Sequence, residues 1–205
     1  MNKNYLSPEI VKNEFNRRAL VRKGINKVLS SRFSEEVNEK FDLDINSLLR
    51  RYFGKKRFSN VIEVGVGIGR LAKFFADRSD RFVGIDFSQE MLAHASHDLQ
   101  TEKNVELVLS DANTIEFLPH YFDLGIVSLV LKHNSDERAE VLIKKLKKWC
   151  RSVLLIEHVS GGASGSKIAI VRPESWYIKK FQPMKAATVK RFKRSEDNII
   201  FCIFN

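Results

Sequence analysis

The chain has 205 residues, 43% of them hydrophobic and 29% charged, with a formal net charge of +10. That length buries an ordinary core, and no apolar run approaches the ~20 residues of a membrane span, so a soluble globular domain is expected rather than a membrane-embedded or disordered one. Met1-Asn2-Lys3-Asn4-Tyr5-Leu6-Ser7-Pro8 lacks the apolar centre of a secretory leader, and Cys150 and Cys202 have neither disulfide-framework nor metal-ligand spacing. Together these features predict a cytoplasmic protein in a reducing compartment, with no bound metal.

The excess charge is dispersed. Lys144, Lys145, Lys147 and Lys148 share a helical pattern with Val141, Leu142, Leu146 and Trp149, so they read as the solvated face of that helix. A basic balance by itself names no partner.

Along the chain, residues 1–57 read as helical, with one helix around 8–28 and another over 34–53. Ser34-Glu35-Glu36-Val37 and Asp44-Ile45-Asn46-Ser47 look like helix starts, with cap residues followed by early acids. From residue 58, strand patterns at 60–65, 81–86, 105–109, 122–130 and 152–158 alternate with helical patterns at 69–79, 88–100 and 135–149. Such alternation implies crossover units and a parallel sheet covered on both faces. A helix near 173–181 precedes two β-type runs, 185–194 and 197–204, joined at Ser195-Glu196-Asp197-Asn198. Two close strands with a polar link make an antiparallel hairpin, so the sheet is expected to finish with a reversed strand. The reading is one α/β domain over 1–205, with 58–205 as its core and 1–57 as an N-terminal helical lid.

The densest chemical signal is Val61-Ile62-Glu63-Val64-Gly65-Val66-Gly67-Ile68-Gly69-Arg70. A strand, a tight glycine turn and a helix start in that order make a cofactor cradle, because backbone can approach a ligand where a Cβ would clash. Gly67-x-Gly69-x-x-Ala72 also fits the relaxed dinucleotide pattern. That pattern leaves Gly65 unexplained and places Glu63 inside an apolar first strand, which a cofactor with a cationic group and no pyrophosphate accounts for better. Asp86 stands at the tip of the second strand, where a carboxylate can accept both hydroxyls of a ribose, and Phe87 beside it can pack on a purine. Asp111 and Ala112 end the third strand on the same rim, placed to meet an adenine amino group and a ring nitrogen.

These residues resemble the class I S-adenosylmethionine-dependent methyltransferases, over about 60–158 in detail. The resemblance implies a Rossmann-like, seven-stranded, mostly parallel sheet with an antiparallel last strand, and S-adenosyl-L-methionine as cofactor. It implies that Glu63, Gly65, Gly67 and Gly69 hold the amino-acid part of that cofactor, that Asp86 binds its ribose, and that Asp111 and Ala112 contact its adenine. Phe122-Asp123-Leu124-Gly125-Ile126-Val127-Ser128 matches the fourth strand, whose end, at Ser128, approaches the reactive methyl. Val66 departs from the small or polar residues frequent at its position.

For the acceptor, His133 after the fourth strand and His158 after the fifth are the candidate bases on the C-terminal rim. No Asn/Asp-Pro-Pro-Tyr/Phe follows the fourth strand and no Pro-Cys nucleophile is present, which speaks against methylation of nucleic-acid bases. Small-molecule members of the resembled family use N-terminal helices as a lid, here near Tyr5 to Arg22, and take acceptor contacts from the segment after the fifth strand. Arg172 is the candidate for holding an anionic group, with Trp176 or Tyr177 as a wall. The expectation is methyl transfer to an O or N atom of a small, anionic metabolite or peptide. Nucleic acid is the less favoured partner and no membrane is involved. An RNA or protein methyltransferase, and a protein that binds the nucleoside cofactor without turning it over, remain open at this stage.

Overall fold

A computed structural model of the chain describes residues 7–30, 32–160 and 168–205. Seven strands form one sheet: β1 (Phe58–Val64), β2 (Ser79–Asp86), β3 (Val105–Leu109), β4 (Phe122–Ser128), β5 (Cys150–Ser160), β6 (Ala186–Arg194) and β7 (Asp197–Phe204). Their spatial order is β3-β2-β1-β4-β5-β7-β6. Pairings among β1 to β5 are parallel, while β7 runs antiparallel to both β5 and β6. The sheet is thus mostly parallel with one reversed strand, the last, inserted between β5 and β6.

Helices α1 (Pro8–Val21), α2 (Glu35–Phe53), α3 (Ala72–Ala76), α4 (Gln89–Asp98), α5 (Asp136–Trp149) and α6 (Glu174–Phe181) surround it. Ser7, Ser34, Ser88 and Ser135 cap α1, α2, α4 and α5, each side chain accepting from a backbone N–H three residues on. One apolar layer sets Phe41, Ile45, Leu49 and Phe53 of α2 against Phe75, Ile156 and Phe201. The other sets Leu142, Leu146 and Trp149 of α5 and Phe181 of α6 against Val127, Leu155 and Phe204. The buried runs in β1 and β4 follow from burial on both faces, which removes alternation from a central strand.

Several boundaries differ from the sequence reading for physical reasons. The first helix stops at Val21; Arg22 is extended, Gly24 has φ +49°, and a 3₁₀ turn covers Gly24–Lys27. Asp44 does not start a helix but lies inside α2, where it pairs with Lys40 one turn earlier at 2.8 Å. Helix α3 is only five residues long, because the glycine turn runs on through i→i−3 bonds from Gly69 to Val66 and from Ala72 to Gly69. Strand β4 ends at Ser128, since Leu129 takes φ +59°. The lid is narrower than expected: α2 belongs to a core layer, and only α1 and the segment after it border the cavity described below. Among the described residues no helix is long and apolar enough to cross a membrane.

Phe201 is fully buried between Tyr52 and Phe53, with ring centroids at 5.7 and 6.5 Å. Phe201→Ala is expected to cost about 3–5 kcal/mol of unfolding free energy, read from urea titration at unchanged m-value.

Candidate cofactor site

Strand order reverses between β1 and β4, and the cavity opens above the C-terminal ends of those strands, where open α/β sheets hold ligands. It encloses about 1010 Å³ counted to its open mouth. Its floor is Glu63 to Gly67, its flanks are Asp86 with Phe87 and Ser110 to Asn113, and its far wall is Ser128 to Val130 with His133. Pro8, Val11 and Phe15 of α1, with Val28 and Leu29, roof it.

The floor is backbone by necessity. Gly65 has φ +72°, and a Cβ there would lie 2.3 Å from Val130 Cγ2; Gly67 has φ +56°, with Val28 Cγ1 at 2.9 Å from such a Cβ. Gly69 does not line the cavity; it lets the turn close on Leu99 and Ala95 of the α4 region.

Two carboxyl groups face the cavity in raised protonation states. Glu63 is 2% exposed, and its Oε2 has no hydrogen-bond partner among the described residues. Burial pushes its pKa up to about 8; Arg70 opposes the rise and Asp86 adds to it. Asp86 accepts from the Gly67 N–H and the Ser88 N–H, both at 2.9 Å. Burial still pushes it up to about 6, against the lowering effect of those donors. A buried acceptor without a donor is costly to leave unmade. An ammonium placed at Glu63 would supply both the missing donor and the compensating charge.

Arg70 sits at the same end of the cavity, donating to Asp42 Oδ1 at 2.7 Å and to Ser128 Oγ at 3.1 Å. The sequence reading passed over it, although a cation directly after the third glycine was visible. At the other end, Asp111 accepts from the Asn113 N–H at 2.9 Å and from Arg138 Nη2 at 2.6 Å, and Ala112 lies beside it. Arg138, from α5, was beyond the reach of sequence because only the fold brings it to β3. Phe87 lines the cavity with its ring 6.5 Å from Phe15.

The acceptor-side expectations fare unevenly. His133 lines the cavity, edge-on to Phe15 at 5.2 Å, with Nδ1 2.7 Å from the Ile168 carbonyl, which assigns the proton to Nδ1. Burial, with the charge of Lys132 beside it, pushes its pKa down to about 3, so it is a neutral ring that accepts hydrogen bonds and a weak base. His158 is not in this cavity: it is 4% exposed on β5, its Nε2 3.0 Å from the Ser160 carbonyl and 3.4 Å from Asp197. Arg172 does not offer its guanidinium to an acceptor. It is 3% exposed and fully engaged, with Asp136 Oδ1 at 2.7 Å, the Leu131 carbonyl at 2.9 Å and the Asn134 carbonyl at 2.7 Å, while Trp176 covers its face at 4.7 Å. It clamps the turn after β4 to α5. Tyr177 is buried in the α5–α6 layer and Trp176 packs beside it, so neither walls the cavity. Tyr5 lies outside the described residues.

Comparison with known proteins follows the same lines. Residues 61–152 match the family model described as a methyltransferase domain. That segment of the chain is similar to a methyltransferase domain. Phosphoethanolamine N-methyltransferase 3 of Arabidopsis thaliana is 26% identical over 95 residues, 45% of this chain and 19% of that protein. Ribosomal RNA small subunit methyltransferase A of Alkaliphilus metalliredigens is 30% identical over 87 residues, 42% of this chain and 30% of that protein. This chain therefore spans less than a third of the length of either curated relative. Among solved structures, magnesium protoporphyrin IX methyltransferase from Synechocystis, with bound S-adenosylhomocysteine, superposes with a TM-score of 0.75 at 18% identity, over 97% of this chain and 100% of that one. That likeness establishes the methyltransferase fold. The three printed names specify three different acceptors, so the domain is common and the acceptor is not.

Glu63 gives the chain a pH signature of its own. Its pKa rises from 4.5 when unfolded to about 8 when folded, so its stabilising contribution is full below pH 4.5 and is lost as pH climbs through 8. The ligand-free chain is expected to lose a few kcal/mol of unfolding free energy between pH 5 and 8.5, and Glu63→Gln to flatten that slope in urea titrations. An unchanged slope in the variant would assign it elsewhere.

Proposed function

We propose that this chain binds S-adenosyl-L-methionine and transfers its methyl group to an O or N atom of a small, anionic metabolite or peptide, in the cytosol. The observation that carries the cofactor half is the buried, unpartnered Glu63 oxygen beside Asp86 at the floor of a cavity whose floor is glycine backbone. When bound, the cofactor supplies an electrophilic methyl on a sulfonium, and the chain's task is to position and desolvate.

On this reading Glu63 accepts from the cofactor's ammonium, and Arg70 stands close enough to receive its carboxylate. The carboxyl of Asp86, already oriented by two backbone N–H groups, accepts from the ribose hydroxyls. Asp111, Ala112 and Phe87 frame the adenine. Ser128 and the turn after it bring the reactive end to His133. That ring, fixed in one tautomer by Ile168, accepts a hydrogen bond from the acceptor's N–H or O–H and so aims its lone pair at the methyl. With so low a pKa, His133 orients the nucleophile and takes its proton only as the new bond forms.

Support for a small acceptor comes from the apolar side chains of Val11, Phe15 and Leu29, which line the cavity beside His133 and offer no charge to a phosphate backbone. RNA as acceptor is the second reading, favoured by the net charge of +10. Steep loss of tRNA binding with salt would favour it and count against the small acceptor.

Calorimetric titration with S-adenosylhomocysteine is expected to show micromolar binding that falls at least about a hundredfold in Asp86→Ala, in keeping with the loss of two charge-assisted hydrogen bonds. Absence of binding by the wild type would overturn the proposal. His133→Asn is expected to lower kcat more than cofactor affinity, and the wild-type rate is expected to show no histidine inflection between pH 5 and 8. A bell limb near pH 6.5 that vanishes in the variant would contradict that orienting role.

A further inference from the structure

The cavity is lined by a cation and a partnerless acid that do not bond to each other. Glu63 and Arg70 both border it, and the charge of Arg70 reaches Glu63, where it opposes the rise in pKa. Yet Glu63 Oε2 accepts no hydrogen bond among the described residues. The guanidinium is held elsewhere: Nη1 donates to Asp42 Oδ1 at 2.7 Å and Nη2 to Ser128 Oγ at 3.1 Å. An ion pair between Glu63 and Arg70 would satisfy the acid and occupy the site, so whatever holds Arg70 aside keeps the site open.

That holder is built on α2. Asp42 lies between Phe41 and Ile45 on a helix whose buried face, with Leu49 and Phe53, is fixed in the apolar layer. Its side chain is 24% exposed and meets the Arg70 side chain, which is 11% exposed. Asn46, one turn on, donates from Nδ2 to Asp42 Oδ2 at 3.0 Å and to the Asp42 carbonyl at 2.9 Å, which restrains the carboxylate. One oxygen of Asp42 thus serves Asn46 and the other serves Arg70. Asp42 does not itself line the cavity, so it acts there through Arg70. Among the described residues the guanidinium makes no other hydrogen bond, and N–H donors remain on it for a ligand.

We propose that Asp42 is a positioning residue: by holding Arg70 apart from Glu63 it divides this end of the cavity into an acceptor for an ammonium and a donor for a carboxylate, so that the site selects a zwitterionic amino-acid group over a plain amine. The inference rests on the reading that this cavity binds S-adenosyl-L-methionine, and it names the residue on which selection of that cofactor's amino-acid end depends. An Arg70 free to turn to Glu63 would cancel both subsites at once, since the acid would lose its empty oxygen and the guanidinium its free donors. Asp42 opposes that turn with a charge-assisted bond, which is stronger than the bond to the neutral hydroxyl of Ser128.

The test compares two ligands by calorimetric titration of the full chain: S-adenosylhomocysteine, and 5′-deoxy-5′-(3-aminopropylthio)adenosine, which keeps the ammonium and lacks the carboxylate. The wild type is expected to prefer S-adenosylhomocysteine at least about tenfold, since the carboxylate adds charge-assisted hydrogen bonds. In Asp42→Asn that preference is expected to shrink to within about threefold, because a neutral amide holds a guanidinium less firmly, and Arg70→Met should show the same loss. Asp42→Glu, which keeps the charge, is expected to regain part of it. A merely structural role would weaken both ligands alike, so an intact preference in Asp42→Asn overturns the proposal. Should Asp42→Asn fail to fold, Asp42→Ala, with its higher helix propensity, reads the same preference. A wild type that binds both ligands equally sinks this inference alone, whereas a wild type that binds neither sinks the cofactor reading with it.

Discussion

A carboxyl group buried at the end of the central strand, with one oxygen left without a partner, is the constraint around which the molecule is arranged. Glu63 sits where β1 is flanked by β2 and β4, so desolvation from both sides keeps it protonated to unusually high pH. An apolar residue there would be worth more to folding. The glycine turn is the second half of the same arrangement. It lays bare backbone beside the acid and delivers the Gly67 N–H to Asp86, so the two carboxyl groups are oriented by one loop.

The roof depends on different forces. Helix α1 contributes Val11 and Phe15 to the cavity and is tethered by polar contacts, with Ser88 Oγ donating to Asn16 Oδ1 at 2.6 Å and Lys27 Nζ lying 2.6 Å from His94 Nε2 and 3.1 Å from the Ala19 carbonyl. Few buried apolar residues hold it, Val11 and Ala19 among them, whereas α2 is sewn into the aromatic layer. Segments with so little buried apolar contact sit at the low end of local stability.

The corrected residues share one cause. Arg172 and His158 were legible as chemistry-bearing types on the right rim of the sheet, and both are on that rim. Their side chains are consumed by partners distant in sequence: Asp136 and the carbonyls of Leu131 and Asn134 for Arg172, Asp197 for His158. Residue type and strand end told which edge mattered, and burial told which side chains were free to act there.

The sequence by itself determined the order of strands and helices, the reversed terminal hairpin, and the places of Glu63, Asp86 and Asp111 at three neighbouring strand ends. These follow from local rules: burial on both faces makes unbroken apolar strands, glycine permits positive φ, and parallel strands bring their ends to one rim. Only the tertiary structure decided that Arg70 and Arg138 join that rim and that His133 is neutral. Those properties depend on desolvation and on contacts between segments far apart in the chain, such as Arg70 with Ser128, and one-dimensional spacing holds no record of either.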